Sequence, residues 1–257
     1  MRTTYCRFRR GETTGYGIVD GATVRQLTAS PWQTGAETGA RFALDQVTLL
    51  APVQPQKILA VGQNYRSHVG LKKIPARPEM FYKPITALQD PGAPIVLPAD
   101  ATRVHLEGEL VLVIAQTTRH ASVTEARAAI FGVTCGNDVS EREWQSGADK
   151  DLQWWRAKGA DTFAPCGPFL VTGIDDSNLL LQTRLNGETV QRETTADMIF
   201  DPPTVVSFIS RYLTLHPGDL IYTGTPGNTV KLSAGDVVEV EIENVGVLRN
   251  PVIAADR

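Results

Sequence analysis

Apolar and polar residues alternate with a period near two along much of the chain, the pattern of half-buried strands. Tyr16–Val19 and Thr23–Leu27 flank Asp20-Gly21, a pair that favours a tight hairpin turn. Lys57–Val61, Ile95–Leu97, Glu109–Ala115 and Gly132–Cys135 read as further strands rich in apolar and β-branched residues. In the tail, Val237, Val238, Val240, Ile242 and Val245 predict two strands around Asn244. Helical spacing is confined to Val123–Ile130 and Pro203–Tyr212. Residues 70–79 (GLKKIPARPE) are too rich in Gly, Pro and charge for a regular element and predict a mobile surface loop. Regular β-α alternation is absent, so the chain predicts a β-rich α+β fold rather than a doubly wound sheet. Ala51-Pro52-Val53-Gln54-Pro55 breaks the alternation and reads as a linker. It separates a small N-terminal β-rich domain, 1–52, from a main domain, 53–257.

Composition narrows the classes. The 257 residues are 42% hydrophobic and 21% charged, enough to build a sizeable core without disulfides. A formal net charge of −3, with no Lys/Arg cluster, argues against nucleic-acid binding, which needs cations to displace phosphate counterions. No stretch approaches the ~20 apolar residues that cross a bilayer. The N-terminus has charges with no apolar run behind them, unlike a secretory signal. Cys6, Cys135 and Cys166 are widely spaced and show no C-x-x-C pair, which predicts a reduced, cytoplasmic protein. Gly224-Thr225-Pro226-Gly227 lacks the Lys-Ser/Thr of a phosphate-binding loop, and there is no G-x-S-x-G elbow.

The most informative segment is His105-Leu106-Glu107-Gly108-Glu109-Leu110. Residues two apart on a strand share a face, so Glu107 and Glu109 project together, with Gly108 opposite. The next five residues are apolar, as in a buried strand. Two acids entering such a core repel and lose hydration unless a cation compensates. Asp138, beyond the strand Val133–Cys135 and a Gly136-Asn137 turn, is placed to supply a third carboxylate. Three oxygens on one side of a cation suit Mg²⁺, and Mn²⁺ tolerates them. Zn²⁺ prefers His or Cys, and the four histidines show no H-x₃-H spacing. By spacing alone, the solvated face of an edge strand is the better reading, because E-x-E is common.

The surroundings decide between them. GQNYRSH, HLEGELV, CGNDVSEREWQ, WWRAKGADTFAPCGPFLV and YTGTPGN occur in that order over about residues 55–253, and together they resemble the fumarylacetoacetate hydrolase family. The segment before them resembles the small domain that many bacterial members carry. The resemblance implies a mixed β-roll, usually homodimeric, with a Mg²⁺ or Mn²⁺ site and a small 2-oxo acid substrate. It assigns the metal ligands to Glu107, Glu109 and Asp138. It makes His68 the catalytic histidine and Lys158 the active-site lysine. Arg142 and Gln145 match residues that contact a substrate carboxylate, and spacing of three sets both on one face if a helix begins there. Thr225 matches a ligand hydrogen-bond donor. Lys83 of FYKP is a candidate of the same kind, with a structural salt bridge as the alternative.

One departure matters. Many members read H-x-x-E at the histidine, where the Glu orients the imidazole and a water; here the fourth residue is Leu71. Glu79 is the nearest acid along the loop. The resemblance puts C–C bond hydrolysis of an acylpyruvate, or decarboxylation of an oxaloacetate-like acid, first. Isomerisation or tautomerisation follows closely. A catalytically weak 2-oxo acid binding protein is the alternative that Leu71 motivates.

Overall fold

The run Leu110–Ile114 has no polar face, so it must be covered on both sides. In the computed structural model, which describes residues 1–255, Gly108–Ile114 is a strand with every residue buried. Leu110, Leu112 and Ile114 enter a large core with Leu181, Val240 and Ile242 of a second sheet. Val111 and Val113 face the other way, against Tyr222, Ala164 and Cys166.

That strand lies inside a twelve-stranded sheet. Ile130–Asn137 and then Ala164–Thr172 pair on one side of it. On the other side are Leu220–Tyr222, then Ile58–Gly62 in parallel, then Glu79–Lys83 at the edge. The predicted hairpin forms as Thr13–Asp20 and Thr23–Leu27. It belongs to an N-terminal meander whose first strand, Thr3–Arg10, pairs with Ala164–Thr172. Cys6, Phe8 and Val24 give this meander its own small core, while the pairing makes it part of the same sheet. A five-stranded sheet, built on Leu180–Leu185, Glu188–Thr194, Val237–Ile242, Gly246–Ala254 and Ile95–Leu97, closes the roll. The fold is the β-rich α+β arrangement that the alternation predicts. Its helices are short: Val123–Ala129 is held by a Ser122/Glu125 capping box, and Pro202–Ser210 is capped by Asp201. No helix among the described residues is long and apolar enough to cross a membrane.

Local differences from the sequence reading have simple causes. Gly136 and Asn137 are not a turn; they continue the strand and pair with Glu109 and Gly108. Val245 lies in the turn between the two C-terminal strands, not within one. Both errors follow from reading Gly and Asn as turn formers where tertiary pairing holds them extended, or apolar character as strand where a turn buries it. Residues 70–78 are irregular, as expected, but Glu79 opens the edge strand. Of the 53–257 segment, the last two residues lie outside the described residues.

Register is what brings the acids together. Gly108 opposes Asn137, and beyond the ladder the Asp138 N–H donates to the Glu107 carbonyl at 2.9 Å. Glycine at 108 and 136 is a steric requirement. A Cβ on Gly136 would sit 2.4 Å from a Val111 methyl and 2.6 Å from the Tyr222 ring. A Cβ on Gly108 would sit 2.0 Å from Thr183 Oγ1, because the two sheets touch there. Gly108→Ala should therefore cost about 1–3 kcal/mol through overpacking, seen as a lower Tm. Thr183 Oγ1 has no hydrogen-bond partner, so adding Thr183→Ala should recover most of that loss in a double-mutant cycle.

Candidate metal centre and active site

Glu107, Glu109 and Asp138 offer carboxylate oxygens that lie within 4.8 Å of one another, and all three residues are buried. Strand register supplies two of them and the end of the neighbouring strand supplies the third. Such a group is stable only where positive charge meets it.

The protein meets most of it. Lys158 is carried by the short helix Trp155–Gly159, and its ammonium bridges Glu107 at 2.7 Å and Asp138 at 2.5 Å. It also lies 4.9 Å above the Phe81 ring, a favourable cation–π position. Lys83, from the edge strand, donates to the other Asp138 oxygen at 2.5 Å. Arg142 opens the helix Arg142–Ser146 and donates to Glu107 through Nη2, which also reaches Thr229 Oγ1 at 2.9 Å. Its Nη1 donates to Gln145 Oε1 at 2.6 Å, and among the described residues no bond from the Gln145 amide N–H groups competes with a ligand.

Glu109 is the exception. It accepts a 2.8 Å bond from the Gly224 N–H, and among the described residues no cationic side chain forms a salt bridge with it. Burial, with Asp138 and Glu107 alongside, pushes its carboxyl well above the usual range. Glu107 has the opposite fate. Burial opposes its ionisation, but Lys158 and Arg142 outweigh it and hold the group well below the usual carboxylate range. Burial also works against the charge on Lys158, yet Asp138 and Glu107 raise its pKa overall. For Lys83 burial prevails over Asp138, and its pKa falls. The donors are all hard oxygens, and one buried acid has no salt-bridge partner among the described residues. A divalent cation that prefers oxygen fits both facts.

A cavity of about 320 Å³ opens onto these acids. Lys158, Arg142, Gln145, Thr225 and His68 all border it, with Phe81, Trp154 and Val61 as an apolar wall and Lys72 also in its lining. Lys83 does not border it; its side chain is wholly buried behind Asp138, in the salt bridge that was its alternative reading. Thr225 reaches the cavity, but its hydroxyl proton is committed to the Gly108 carbonyl at 2.9 Å. That hydroxyl accepts from Gln191 at 2.9 Å.

His68 sits on the single helical turn Arg66–Val69. Its Nδ1 is 2.6 Å from the Gly227 carbonyl. A carbonyl only accepts, so Nδ1 carries the proton and Nε2 of the neutral ring keeps its lone pair. The partner of Nδ1 is thus a backbone oxygen of the YTGTPGN turn. Leu71 itself points into solvent, 108% exposed.

Three contributors escaped the sequence reading. Thr229 ties Arg142 to His105 Nδ1 at 2.9 Å. Burial, reinforced by Arg142, lowers the His105 pKa. Gln191 enters from the second sheet. Gly227 acts through its carbonyl. Only Gly227 lay within a quoted motif, and a backbone carbonyl leaves no residue-type signal.

Comparison with known proteins agrees with this architecture. The family model described as fumarylacetoacetate (FAA) hydrolase C-terminal matches residues 57–253. The one described as Rv2993c-like, N-terminal, matches residues 3–52. The crystal structure of 2-hydroxyhepta-2,4-diene-1,7-dioate isomerase from Mycobacterium marinum superposes with a TM-score of 0.92 at 40% identity, covering 99% of this chain and 100% of that one. The mitochondrial oxaloacetate tautomerase FAHD2A of Bos taurus is 39% identical over 221 residues, 81% of this chain and 70% of that protein. Maleylpyruvate hydrolase from Sphingobium sp. SYK-6, solved with manganese(II) and pyruvate, gives a TM-score of 0.80 at 27% identity over the full length of both chains. With a model match over most of its length and relatives at this identity, the chain belongs to the fumarylacetoacetate hydrolase family.

Proposed function

We propose that this protein binds one Mg²⁺ or Mn²⁺ through Glu107, Glu109 and Asp138 and catalyses enol–keto tautomerisation of a small 2-oxo dicarboxylic acid. The observation that carries the reading is the orientation of His68, whose Nδ1 proton goes to the Gly227 carbonyl and leaves Nε2 of the neutral ring free to act as the base. Hydrolysis needs a water activated at the carbonyl carbon. Tautomerisation needs one base that moves a proton between oxygen and the adjacent carbon. This puts proton transfer ahead of the hydrolysis or decarboxylation that the resemblance ranks first.

A divalent cation at the three acids supplies Lewis-acid polarisation of a 2-oxo carboxylate. The chain's own groups do the rest. Lys158 holds fixed positive charge where the substrate oxygen becomes anionic, and it is preorganised by its two acid partners. Arg142 and the N–H groups of Gln145 face the cavity as carboxylate donors. In the enol-to-keto direction His68 Nε2 accepts the hydroxyl proton and the imidazolium returns it to the neighbouring carbon, so no atom is gained or lost.

Charge favours a dianion. Lys83, Lys158 and Arg142 together match the three acids. A divalent cation then leaves two positive charges, and Lys72 in the cavity lining adds another. The names of the Bos taurus and Mycobacterium marinum relatives, a tautomerase of oxaloacetate and an isomerase of a dioate, support the same substrate class. A homodimer in the cytoplasm remains part of the proposal.

The first test follows the decay of enol-oxaloacetate absorbance with and without EDTA. Mg²⁺ or Mn²⁺ should restore a rate that EDTA abolishes. Faster metal-dependent cleavage of an acylpyruvate than tautomerisation would overturn the reading. His68→Ala should lower kcat by about 10²–10⁴-fold while the Mn²⁺-induced rise in Tm stays. Glu109→Gln should lose the metal-dependent rate and the Mn²⁺ effect together. A carboxyl whose folded pKa is raised subtracts from stability once pH passes its unfolded pKa, so in EDTA at neutral pH the variant should melt at or above wild type. Mn²⁺, which stabilises wild type by mass action, should leave its Tm unmoved. Leu71→Glu, at a side chain facing solvent, should change the tautomerisation rate by less than about twofold.

A further inference from the structure

The turn Thr223–Gly227 is held at every residue by a side chain from elsewhere. Asn64 Nδ2 donates to the Thr223 carbonyl at 2.8 Å, and Glu109 accepts from Gly224. Gly227 is held at both ends: its carbonyl takes the His68 proton and its N–H donates to Ser67 Oγ at 3.1 Å. The middle of the turn is held by the Thr225 hydroxyl, which donates to the Gly108 carbonyl, and by one residue of the second sheet. Gln191 is 3% exposed, and its Nε2 donates to Thr225 Oγ1 at 2.9 Å and to the Pro226 carbonyl at 2.7 Å. Its Oε1 accepts from the Gly108 N–H at 3.1 Å. Both amide protons are used, and the acceptor is tied to the residue between Glu107 and Glu109.

We infer that Gln191 is a positioning residue, a clamp that sets the His68 imidazole relative to the acids. The chain of causes is short. Pro226 precedes Gly227, so a turn released at Pro226 moves the carbonyl that fixes the imidazole tautomer. The acids depend on Gln191 less, because Lys158, Lys83 and Arg142 grip two of them and Gly224 binds the third. Loss of the clamp therefore strikes the base rather than the metal or the substrate carboxylate. Placement is steeply coupled to rate: a shift of about 1 Å can cost about 10²-fold.

This inference rests on the role given to His68 above, and the experiment separates the two. The full-length protein is made as wild type, Gln191→Met and Gln191→Glu. Methionine keeps the volume and removes all three hydrogen bonds. Glutamate keeps an acceptor for Gly108 and removes the donors to the turn. Three readings are taken: kcat and KM with enol-oxaloacetate, the Mn²⁺-induced change in Tm, and the ¹⁵N shifts of the His68 ring, assigned with His68→Ala. Wild type should show the Nδ1–H tautomer, and a predominant Nε2–H form would overturn the inference without any variant. In a folded variant kcat should fall about 10–100-fold, with KM within about twofold. The Mn²⁺ effect should be retained and the His68 tautomers mixed. A variant that is merely less stable, with an unchanged tautomer and kcat, would overturn the clamp. So would equal losses in kcat and Mn²⁺ binding, which would place the effect on the acid strand. If wild type does not turn over enol-oxaloacetate, the proposed reaction fails, and the ring shifts still decide the clamp.

Discussion

Three carboxylates converge at the end of one strand pair, and their mutual repulsion is the constraint that the surrounding structure answers. In a buried cleft the repulsion is weakly screened, so the fold brings cations to it from separate places. Lys83 comes from an edge strand, Lys158 from a five-residue helix and Arg142 from the helix after the second acid strand. Each is buried or half-buried and holds one or two acid oxygens. What remains without a salt-bridge partner among the described residues is Glu109. That remainder is the strongest physical argument for a divalent ion, and it also explains why a site made of acids survives inside a sheet.

The same geometry divides the site into a stiff half and an adjustable half. The acids stand on, or directly beside, central strands buried on both faces, where side-chain positions are well defined. The base stands on one helical turn and depends on a five-residue turn for its orientation. The two halves meet at Gly108, whose missing side chain allows the second sheet to approach and insert Gln191. Closing the roll is therefore not only a way to bury a core. It is how a residue far along the chain comes to hold both halves together.

Family membership leaves the reaction open, because one fold serves several chemistries. The relatives reported above carry isomerase, tautomerase and hydrolase names. What differs among such chemistries is the job asked of the base. Here the histidine is oriented by a backbone carbonyl, and Leu71, at the position of the H-x-x-E acid, is turned to solvent.

The sequence by itself determined the β-rich class, the hairpin at Asp20-Gly21, both longer helices and the pairing of Glu107 with Glu109 on one face. These depend on periodicities of a few residues, which local sterics impose wherever the strand or helix lies. The ordered motifs added Asp138, Lys158, Arg142, Gln145 and His68, all of which border or build one cavity. Tertiary structure decided the rest. Gly136-Asn137 became strand because partners on both sides demanded extension. Lys83 went behind Asp138 rather than into the cavity, because the direction of an edge-strand side chain depends on what packs against it. The partner of His68 is a carbonyl 159 residues away, and Gln191 lies 83 residues from the Gly108 it holds. Such contacts are made by the closing of two sheets, and no local pattern encodes where a distant backbone atom comes to rest.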